Sequence, residues 1–413
     1  MKRLLPPLMR ALRTPVGWIA IGTMLRIVHL LTLGNRYYFG DTAEYQAAAL
    51  RILHGIGLDQ ASPRAPLYPL LMATGFSIGG EGNMVATRWL QLLVAITLMF
   101  VTSRLAGRIA GPTAATLTAA GMAVAPTLVF VSGLLYPTTL YMLMLVGFAY
   151  LVLRLGEDPT LRDGAMLGIV FALGFLADQV FLAPSLAIAL WLLSRLRTHG
   201  TTLARALTVG ALCATALLTP YSLATRAPSG GSSSDHIFMR KAQTVLHSAR
   251  TDPVLSRERW LRFPQDASFE ALSPGRFLLR EGSLFARYPV AYTHDYVFEF
   301  LHFFRPVPDR VQTENRFTQP IVLYVGGLYF IALLILSFLG LGFGAGLTRH
   351  RILLTLGVLG TAAFYAFFFT QARYRIPVEP FLIILAAIGV ARAFPGFARY
   401  LTGLSAESER PSA

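Results

Sequence analysis

Long apolar segments, separated by short connections that carry arginine, make up most of this sequence. A helix that crosses a membrane needs about 20 predominantly apolar residues, or fewer when other helices surround it. The pattern therefore predicts an all-α integral membrane protein with about ten transmembrane helices. The predicted spans are 15–33, 84–104, 112–131, 137–154, 163–178, 181–196, 203–222, 319–342, 351–370 and 377–394.

The arginines of the short connections predict the orientation of these spans, because cytoplasmic loops of membrane proteins are enriched in Lys and Arg. With ten spans, the basic N-terminal tail, the C-terminal tail and four arginine-bearing connections all fall on one side. We expect that side to be the cytoplasm of a bacterial cell. Both termini are then cytoplasmic, and the chain lies in the inner membrane.

Two long connections remain for the extracytoplasmic side, 34–83 and 223–318. They divide the chain into three predicted parts. The first is an N-terminal transmembrane module, 1–222, which includes the first external loop. The second is the large loop 223–318, which has enough length and charge to fold outside the bilayer. The third, 319–413, holds the last transmembrane helices and a short cytoplasmic tail.

The composition agrees with a membrane protein and excludes other classes. Charged residues make up 14% of this chain and hydrophobic residues 54%, whereas a soluble domain carries about 25% charged residues. The net charge of +15 is spread between apolar segments, so we expect no nucleic-acid partner. The single cysteine, Cys213, permits no disulfide within the chain.

Familiar catalytic and metal-binding motifs are absent from the sequence. It contains no P-loop, no HExxH pair, no nucleophile elbow and no clustered His and Cys ligands. We therefore predict no metal site and no tightly bound cofactor, although the sequence leaves the assistance of a divalent ion open. It also leaves the oligomeric state open.

Three side chains at the start of the first external loop share one face of a predicted helix. Asp41, Glu44 and Tyr45 have the i, i+3, i+4 spacing that places residues on one side of a helix. The alanines and leucines beyond them make this helix amphipathic, as expected of a helix at the membrane surface. Spacing alone leaves two interpretations open: Asp41 and Glu44 form a reactive site, or Asp41 caps the helix and Glu44 is solvated.

A proline-rich stretch follows in the same loop, "SPRAPLYPLLMATGF". Its prolines fix an extended or turning backbone before a short apolar helix, predicted over 66–79. That helix is too short for a confident span and fits an interfacial or re-entrant position. Arg64 then lies at the level of the lipid headgroups, where it can face a lipid or substrate phosphate, and Tyr68 is a candidate for the substrate pocket.

The short external turn "QARYRI" breaks the charge rule that the other external turns follow. Arg373 and Arg375 precede Pro377, which suits the first turn of the last span. Two guanidinium groups beside a helix N-terminus make a good anion site. We therefore interpret both arginines as ligands of a substrate phosphate rather than of ordinary headgroups, with Tyr374 as a further candidate for the pocket.

Ionisable residues inside predicted spans are functional candidates by default. Arg26 and His29 lie in the first span, Arg88 lies near the outer end of the second, and Asp178 lies at the tip of a predicted helical hairpin. Arg88 and Asp178 are candidates for the substrate pocket. Each of the four is equally compatible with a structural role as a buried partner, and the sequence does not choose between these roles.

These motifs, in this order, resemble the GT-C class of membrane glycosyltransferases. The resemblance is to the bacterial branch that contains protein O-mannosyltransferase-like and aminoarabinose-transferase-like proteins. It rests on an acid after the first span in "YYFGDTAEYQAAALRILHGIG" and on the proline-rich "RAPLYPLLMA". It rests also on "EGSLFARYPVAYTHDYVFEFLHFFRP" in the second loop and on "QARYRIPVEPFLIILAAIGVAR" at the last span.

The resemblance implies a function, a donor and site residues. Relatives transfer a sugar from a polyprenyl-phosphate lipid to a hydroxyl acceptor at the extracytoplasmic face, usually with inversion. The acid that acts as general base corresponds to Asp41, with Glu44 as a secondary candidate. Basic residues that hold the donor phosphate correspond to Arg64, Arg373 and Arg375. The expected partners are a polyprenyl-phosphate sugar and membrane lipids.

Departures from the family pattern leave other functions open. Thr138 stands in "LLYPTTLYML" where many relatives carry a glutamate, and Asp178 stands where many carry an arginine or lysine. The motif expected after the seventh span survives only as Arg226 in "PYSLATR". The alternatives are a flippase or transporter of a lipid-linked sugar and a non-catalytic scaffold subunit. The sugar, the acceptor and the prenyl chain length are not indicated.

Overall fold

The computed structural model is all-helical over the residues that it describes, which are 12–57, 64–224, 243–244, 246–253, 256–263, 272–307, 319–342 and 349–402. In chain order, the helices of the N-terminal half are α1 (Pro15–Leu33), α2 (Asp41–Leu53), α3 (Leu67–Gly79), α4 (Met84–Val124), α5 (Pro126–Gly133), α6 (Thr138–Glu157), α7 (Leu161–Ala177), α8 (Leu182–Ala189) and α9 (Leu196–Ala224). The later helices are α10 (Pro274–Arg287), α11 (Pro289–His302), α12 (Pro320–Gly342), α13 (Arg349–Phe368), α14 (Glu379–Ala393) and α15 (Pro395–Thr402).

Three 3₁₀ segments connect some of these helices: Gln179–Phe181, Leu190–Arg195 and Ala372–Val378. The last of them carries the arginines of the predicted external turn and leads directly into α14. Residues Pro63 and Arg226, which the sequence interpretation used, lie outside the described residues.

Seven helical segments among the described residues are long and apolar enough to cross a membrane. These are Pro15–Leu33, Met84–Val124, Thr138–Glu157, Gln179–Leu223, Pro320–Gly342, Arg349–Phe368 and Ala372–Ala393. Two of the seven contain a backbone break, and α7 is a shorter apolar helix of 17 residues. The chain is thus a multi-pass helical membrane protein, and the count of ten spans stays a prediction.

Non-helical backbone angles mark the two breaks. In α4, Ala110 leaves the helical region at φ −143°, and Gly111 follows at φ 84° before Pro112. Proline cannot donate a backbone hydrogen bond, and the positive φ favours glycine. In α9, the backbone of His199 departs from helical geometry at φ −132°.

The bundle is organised around α6 and α14. The buried share of residues is 72% in the apolar stretch of α6 and 67% in that of Ala372–Ala393, the segment that contains α14. It is 22% in α1 and in α12. Since a helix that is apolar on all sides must face either protein or lipid, α6 and α14 form the centre and the other two helices lie outside. Helices α2 and α3 occupy the connection between the first two long helices, and their position at the membrane surface stays a prediction.

Glycine allows α7 and α9 to pack with their backbones in contact. A Cβ atom added at Gly164 would collide with the backbone of Ala206, and one added at Gly168 would collide with the backbone of Gly210. The two glycines are four residues apart on one face of α7. Such small-residue faces let transmembrane helices approach closely, so that van der Waals contact can hold them together.

The G168A substitution is expected to force α7 away from α9 and to destabilise the protein by about 1–3 kcal/mol, as overpacking of a tight contact does. The matched control is G326A on α12, where an added Cβ meets no heavy atom within 4 Å. Thermal unfolding of both variants in detergent measures the difference. Equal melting temperatures for the two variants would contradict the close contact.

Candidate functional site

The first turn of helix α2 carries the two carboxylates that the sequence predicted as site residues. Asp41 and Glu44 lie in the first turn of α2, with side chains 34% and 47% exposed. Residue Gly40 occupies the cap position, and no side chain caps this helix. Asp41 is therefore not the cap residue, and both carboxylates are available for other partners.

Arg64 binds both of these carboxylates. Its Nη2 lies 3.2 Å from Asp41 Oδ1, and its Nε donates to Glu44 Oε2 at 2.7 Å. The guanidinium also lies over the ring of Tyr45, 4.7 Å from its centroid. The i, i+3, i+4 spacing thus presents three side chains of α2 to one guanidinium, as the sequence predicted for the helix face.

Burial and charge act in opposite directions on Arg64, whose side chain is 10% exposed. Burial alone lowers the pKa of an arginine because it disfavours the charged form. The negative charges of Asp41 and Glu44 and the nearby Tyr45 outweigh burial, so that the pKa of Arg64 lies above its usual value. Arg64 is a permanent cation at this site.

A second arginine reaches the same carboxylate from the other end of the chain. Arg373, in the 3₁₀ segment before α14, places Nη1 3.3 Å from Asp41 Oδ2. The Asp41 carboxylate thus has one guanidinium at each oxygen. The Arg373 side chain is 50% exposed, so part of its guanidinium stays accessible to a ligand.

Aromatic rings surround this carboxylate–arginine cluster. Tyr374 stacks on Tyr365 of α13 with ring centroids 4.4 Å apart and planes within 8° of parallel. Tyr45 packs edge-on against Tyr68, at 5.3 Å, and against Tyr136, at 6.0 Å. The rings fix the orientation of the elements that carry the charged groups.

Tyr136 is a site residue that the sequence interpretation missed. Its hydroxyl hydrogen-bonds to Asp41. Burial raises the pKa of Tyr136 to about 12, and the charge of Asp41 acts in the same direction, against Arg373 and Arg64. The phenol therefore stays protonated and donates to Asp41. The only sequence signal is a tyrosine in a predicted external turn, just before the proline that precedes α6.

Asp178 lies on the same side of the bundle as Asp41. One of its oxygens accepts from Val180 N at 3.1 Å, which caps the 3₁₀ segment after α7. Its charge also contributes to raising the pKa of Tyr45, after the larger effect of burial. The structure thus gives Asp178 a capping role and places it near the aromatic wall of the site.

Two other predicted site residues point to backbone carbonyls rather than to the cluster. Arg88, which is 1% exposed, donates to the carbonyls of Gly133, Gly34 and Arg36. Arg375, which is 7% exposed, donates to the carbonyls of Arg305 and Pro306. These hydrogen bonds satisfy carbonyls at helix ends and in connecting segments.

Arg26 and His29 also have structural partners. Arg26 donates to the carbonyls of Met122 and Gly22, both at 3.0 Å, so that it joins α1 to the C-terminal end of α4. His29 Nε2 lies 3.3 Å from the carbonyl oxygen of Phe130. Among the described residues, no group of three or more His, Cys, Asp and Glu side chains is arranged to hold a metal ion.

Comparison with known proteins places this geometry in a family context. Residues 63–223 match the dolichyl-phosphate-mannose-protein mannosyltransferase family. No curated protein sequence matches the chain significantly.

Three solved structures with a similar fold cover nearly the whole chain. ArnT from Cupriavidus metallidurans in the apo state aligns with a TM-score of 0.56 and 14% identity over 94% of this chain. ArnT bound to undecaprenyl phosphate aligns with a TM-score of 0.55 and 16% identity over 94% of this chain. The Archaeoglobus fulgidus oligosaccharyltransferase in the apo form aligns with a TM-score of 0.59 and 14% identity over 97% of this chain.

The alignment covers 62% and 63% of the two ArnT chains and 52% of the oligosaccharyltransferase, so this chain spans roughly half to two thirds of their length. At these identities the similarity is one of fold. Together with the match over residues 63–223, it confirms the resemblance predicted from the sequence: the chain is a multi-pass membrane protein with the fold of the GT-C glycosyltransferases of the mannosyltransferase and ArnT type.

Proposed function

We propose that this protein transfers a sugar from a polyprenyl-phosphate donor to a hydroxyl acceptor at the extracytoplasmic face of the membrane. The observation that carries the proposal is the Asp41 carboxylate held between Arg64 and Arg373. A base for the acceptor and two cations for a phosphate are the groups that this reaction needs. Two structures of similar fold support a lipid phosphate as the ligand: ArnT bound to undecaprenyl phosphate, and the Archaeoglobus fulgidus oligosaccharyltransferase AglB in complex with an inhibitory peptide and a dolichol-phosphate.

The donor phosphate binds to Arg64 and Arg373. Arginine pairs well with phosphate because its planar guanidinium can donate two parallel hydrogen bonds. Both guanidinium groups pair with carboxylates in the structure. A bound phosphate competes for them and thereby releases Asp41 for the acceptor. Glu44 keeps Arg64 in place during this exchange.

The transfer is a single displacement. The acceptor oxygen forms a bond to the anomeric carbon while the bond from that carbon to the phosphate oxygen breaks, and its electron pair leaves on the lipid phosphate. Asp41 takes the hydroxyl proton as general base. The two arginines stabilise the charge that develops on the leaving phosphate. Attack from the side opposite the leaving group inverts the anomeric configuration.

The D41N substitution is expected to lower the rate of sugar transfer by roughly 10²–10⁴-fold, which is the usual contribution of a general base. Radiolabelled polyprenyl-phosphate sugars and a membrane-lipid extract, incubated with purified protein, measure it. The matched control is E81Q, an exposed acid of the same loop that pairs with His54. Equal transfer by wild type and D41N would rule out Asp41 as the base. Absence of transfer by both proteins would instead favour a non-catalytic scaffold.

The R373Q substitution is expected to raise the KM for the donor roughly 10–100-fold, because a hydrogen bond between charged groups contributes about 1.5–3 kcal/mol. The control is R36Q, an exposed arginine of the first external loop. An unchanged donor KM in R373Q would show that Arg373 does not hold the phosphate.

The Y136F substitution removes the hydroxyl that donates to Asp41 and keeps the ring packed against Tyr45. The hydrogen bond from the Tyr136 hydroxyl orients the Asp41 carboxylate. We therefore expect its loss to lower kcat about 10-fold and to change the KM for the sugar donor little. Steady-state kinetics of transfer measure both constants. A rise in KM at unchanged kcat would place Tyr136 in donor binding instead.

A further inference from the structure

A buried acid of the second large loop binds the backbone beside the Arg373 segment. Glu299 of α11 is 3% exposed. Its Oε2 accepts from the backbone N–H of Thr370 at 2.7 Å and from the Thr370 hydroxyl at 2.6 Å. Thr370 lies between the end of α13 and the 3₁₀ segment that carries Arg373. The carboxylate thus fixes the start of that segment.

Arg259 completes this network. Its Nη2 donates to Glu299 Oε1 at 2.6 Å and to the carbonyl oxygen of Phe368 at 3.0 Å. Phe368 is the last residue of α13, whose terminal carbonyls have no partner within the helix. Both members of the ion pair are buried, at 4% side-chain exposure each. Burying such a pair is costly, and here the carboxylate offsets part of that cost because it accepts from three donor groups.

The other end of the same segment is fixed by Arg375. Its guanidinium donates to the carbonyls of Arg305 and Pro306, in the segment that follows the end of α11 at His302. The backbone around Arg373 is therefore held on one side by Glu299 of α11 and on the other by carbonyls of the segment after α11. Between these two anchors, Arg373 points to Asp41.

We propose that Glu299 is a positioning residue for the donor site. It acts through Thr370 on Arg373 and touches neither donor nor acceptor. The inference rests on the proposed function and extends it to the second large loop: α11 sets the place of the guanidinium that binds the phosphate. A displacement of about 1 Å in a substrate-positioning group can cost roughly 10²-fold in rate, so such an anchor matters for catalysis.

The chain offers a matched control for this role. Glu281 of α10 is equally buried, at 3%, and pairs with Arg250 through hydrogen bonds of 3.0 and 2.9 Å. This second Arg–Glu pair belongs to the same loop and does not contact the Arg373 segment. E299Q and E281Q each remove one buried charge, so a general loss of loop stability affects both variants.

The test compares donor KM and kcat in E299Q, E281Q, R373Q and the double variant E299Q/R373Q. We expect E299Q to raise donor KM at least 5-fold above that of E281Q. We also expect the double variant E299Q/R373Q to have the same donor KM as R373Q alone. Equal donor KM in E299Q and E281Q, or additive effects of E299Q and R373Q, would overturn the positioning role.

A second readout separates this inference from the proposed function. Amide hydrogen exchange of residues 369–376 is expected to be faster in E299Q than in E281Q, with no substrate present. Unchanged exchange in E299Q would overturn the positioning role even if sugar transfer is confirmed. Absence of transfer in wild type together with faster exchange in E299Q would reject the function and retain the anchor.

An independent observation concerns the exposed face of α10. Leu278, Leu279 and Phe285 are 62%, 77% and 50% exposed and lie on one side of the helix. Beside this apolar face, Arg276, Arg280 and Arg287 form a basic face at i, i+4, i+11 spacing. The only acid of α10, Glu281, is buried in its ion pair with Arg250.

The packing of α10 places these faces next to the membrane-spanning bundle. Phe277, on the buried side, lies 6.1 Å from the rings of Phe367 and Phe368 at the C-terminal end of α13. Since α13 is long and apolar enough to span the membrane, its end lies near the bilayer surface. Basic and apolar faces side by side are the pattern of helices that lie in a lipid interface.

We infer that α10 lies in the surface of the outer leaflet. Its leucines and Phe285 enter the acyl region, and its arginines contact lipid phosphates. The inference requires no catalytic activity. It identifies the occupant of the exposed face as lipid rather than a second copy of the chain, because phosphates complement three arginines of α10, a helix whose own single acid is buried.

Fluorescence quenching in vesicles of phosphatidylcholine and phosphatidylglycerol tests this placement. A thiol-reactive fluorophore is attached either to Leu278→Cys, on the apolar face, or to Arg276→Cys, on the basic face, in the Cys213→Ala background. We expect brominated lipids to quench the label at 278 at least 3-fold more than the label at 276, and aqueous iodide to show the reverse order. Equal quenching at both positions would overturn the inference. The inference would also be overturned if the label at 278 were protected from both quenchers and lost this protection when the protein is diluted in lipid, because that result indicates a second copy of the chain.

Discussion

The candidate site depends on one electrostatic arrangement: a single carboxylate, Asp41, that lies between the guanidinium groups of Arg64 and Arg373. Charges of opposite sign at about 3 Å attract strongly where water is partly excluded, and each group here depends on the others for a partner. The two arginines are far apart in the sequence. The bundle must therefore close correctly before the site exists.

The packing of the helices brings the charged groups of the site together. α2 and α3 pack together beside the first turn of α2, which brings Arg64 to the two carboxylates. The central helices α6 and α14 position Tyr136 and Arg373 from the opposite side, and α11 holds the segment that carries Arg373. Residues that satisfy helix ends, such as Arg26 and Arg88, fix the spans on which these elements depend. The second large loop thus belongs to the architecture of the site.

The sequence predicted the parts of this site that have a local signature. The helical spacing of Asp41, Glu44 and Tyr45 predicted their common face, and the exception to the charge rule identified Arg373. Other parts have no local signature. Tyr136 lies in an apolar turn, and its contact with Asp41 depends on the packing of α2 against the turn that precedes α6. The pairing of Glu299 with Thr370 joins residues 71 positions apart, and no periodicity encodes it. Arg373 and Arg375 look equivalent in the sequence, yet alternate side-chain directions send one to Asp41 and the other to backbone carbonyls.

In the proposed mechanism, Asp41 and a lipid phosphate compete for the same two guanidinium groups. This competition can be tested by measuring the affinity of purified wild type, R64Q and D41N for undecaprenyl phosphate in detergent. Loss of a cation weakens phosphate binding, whereas loss of the competing negative charge does not. We therefore expect weaker binding by R64Q and equal or tighter binding by D41N. Equally weakened binding in both variants would contradict it, since Asp41 would then only maintain the structure around the arginines.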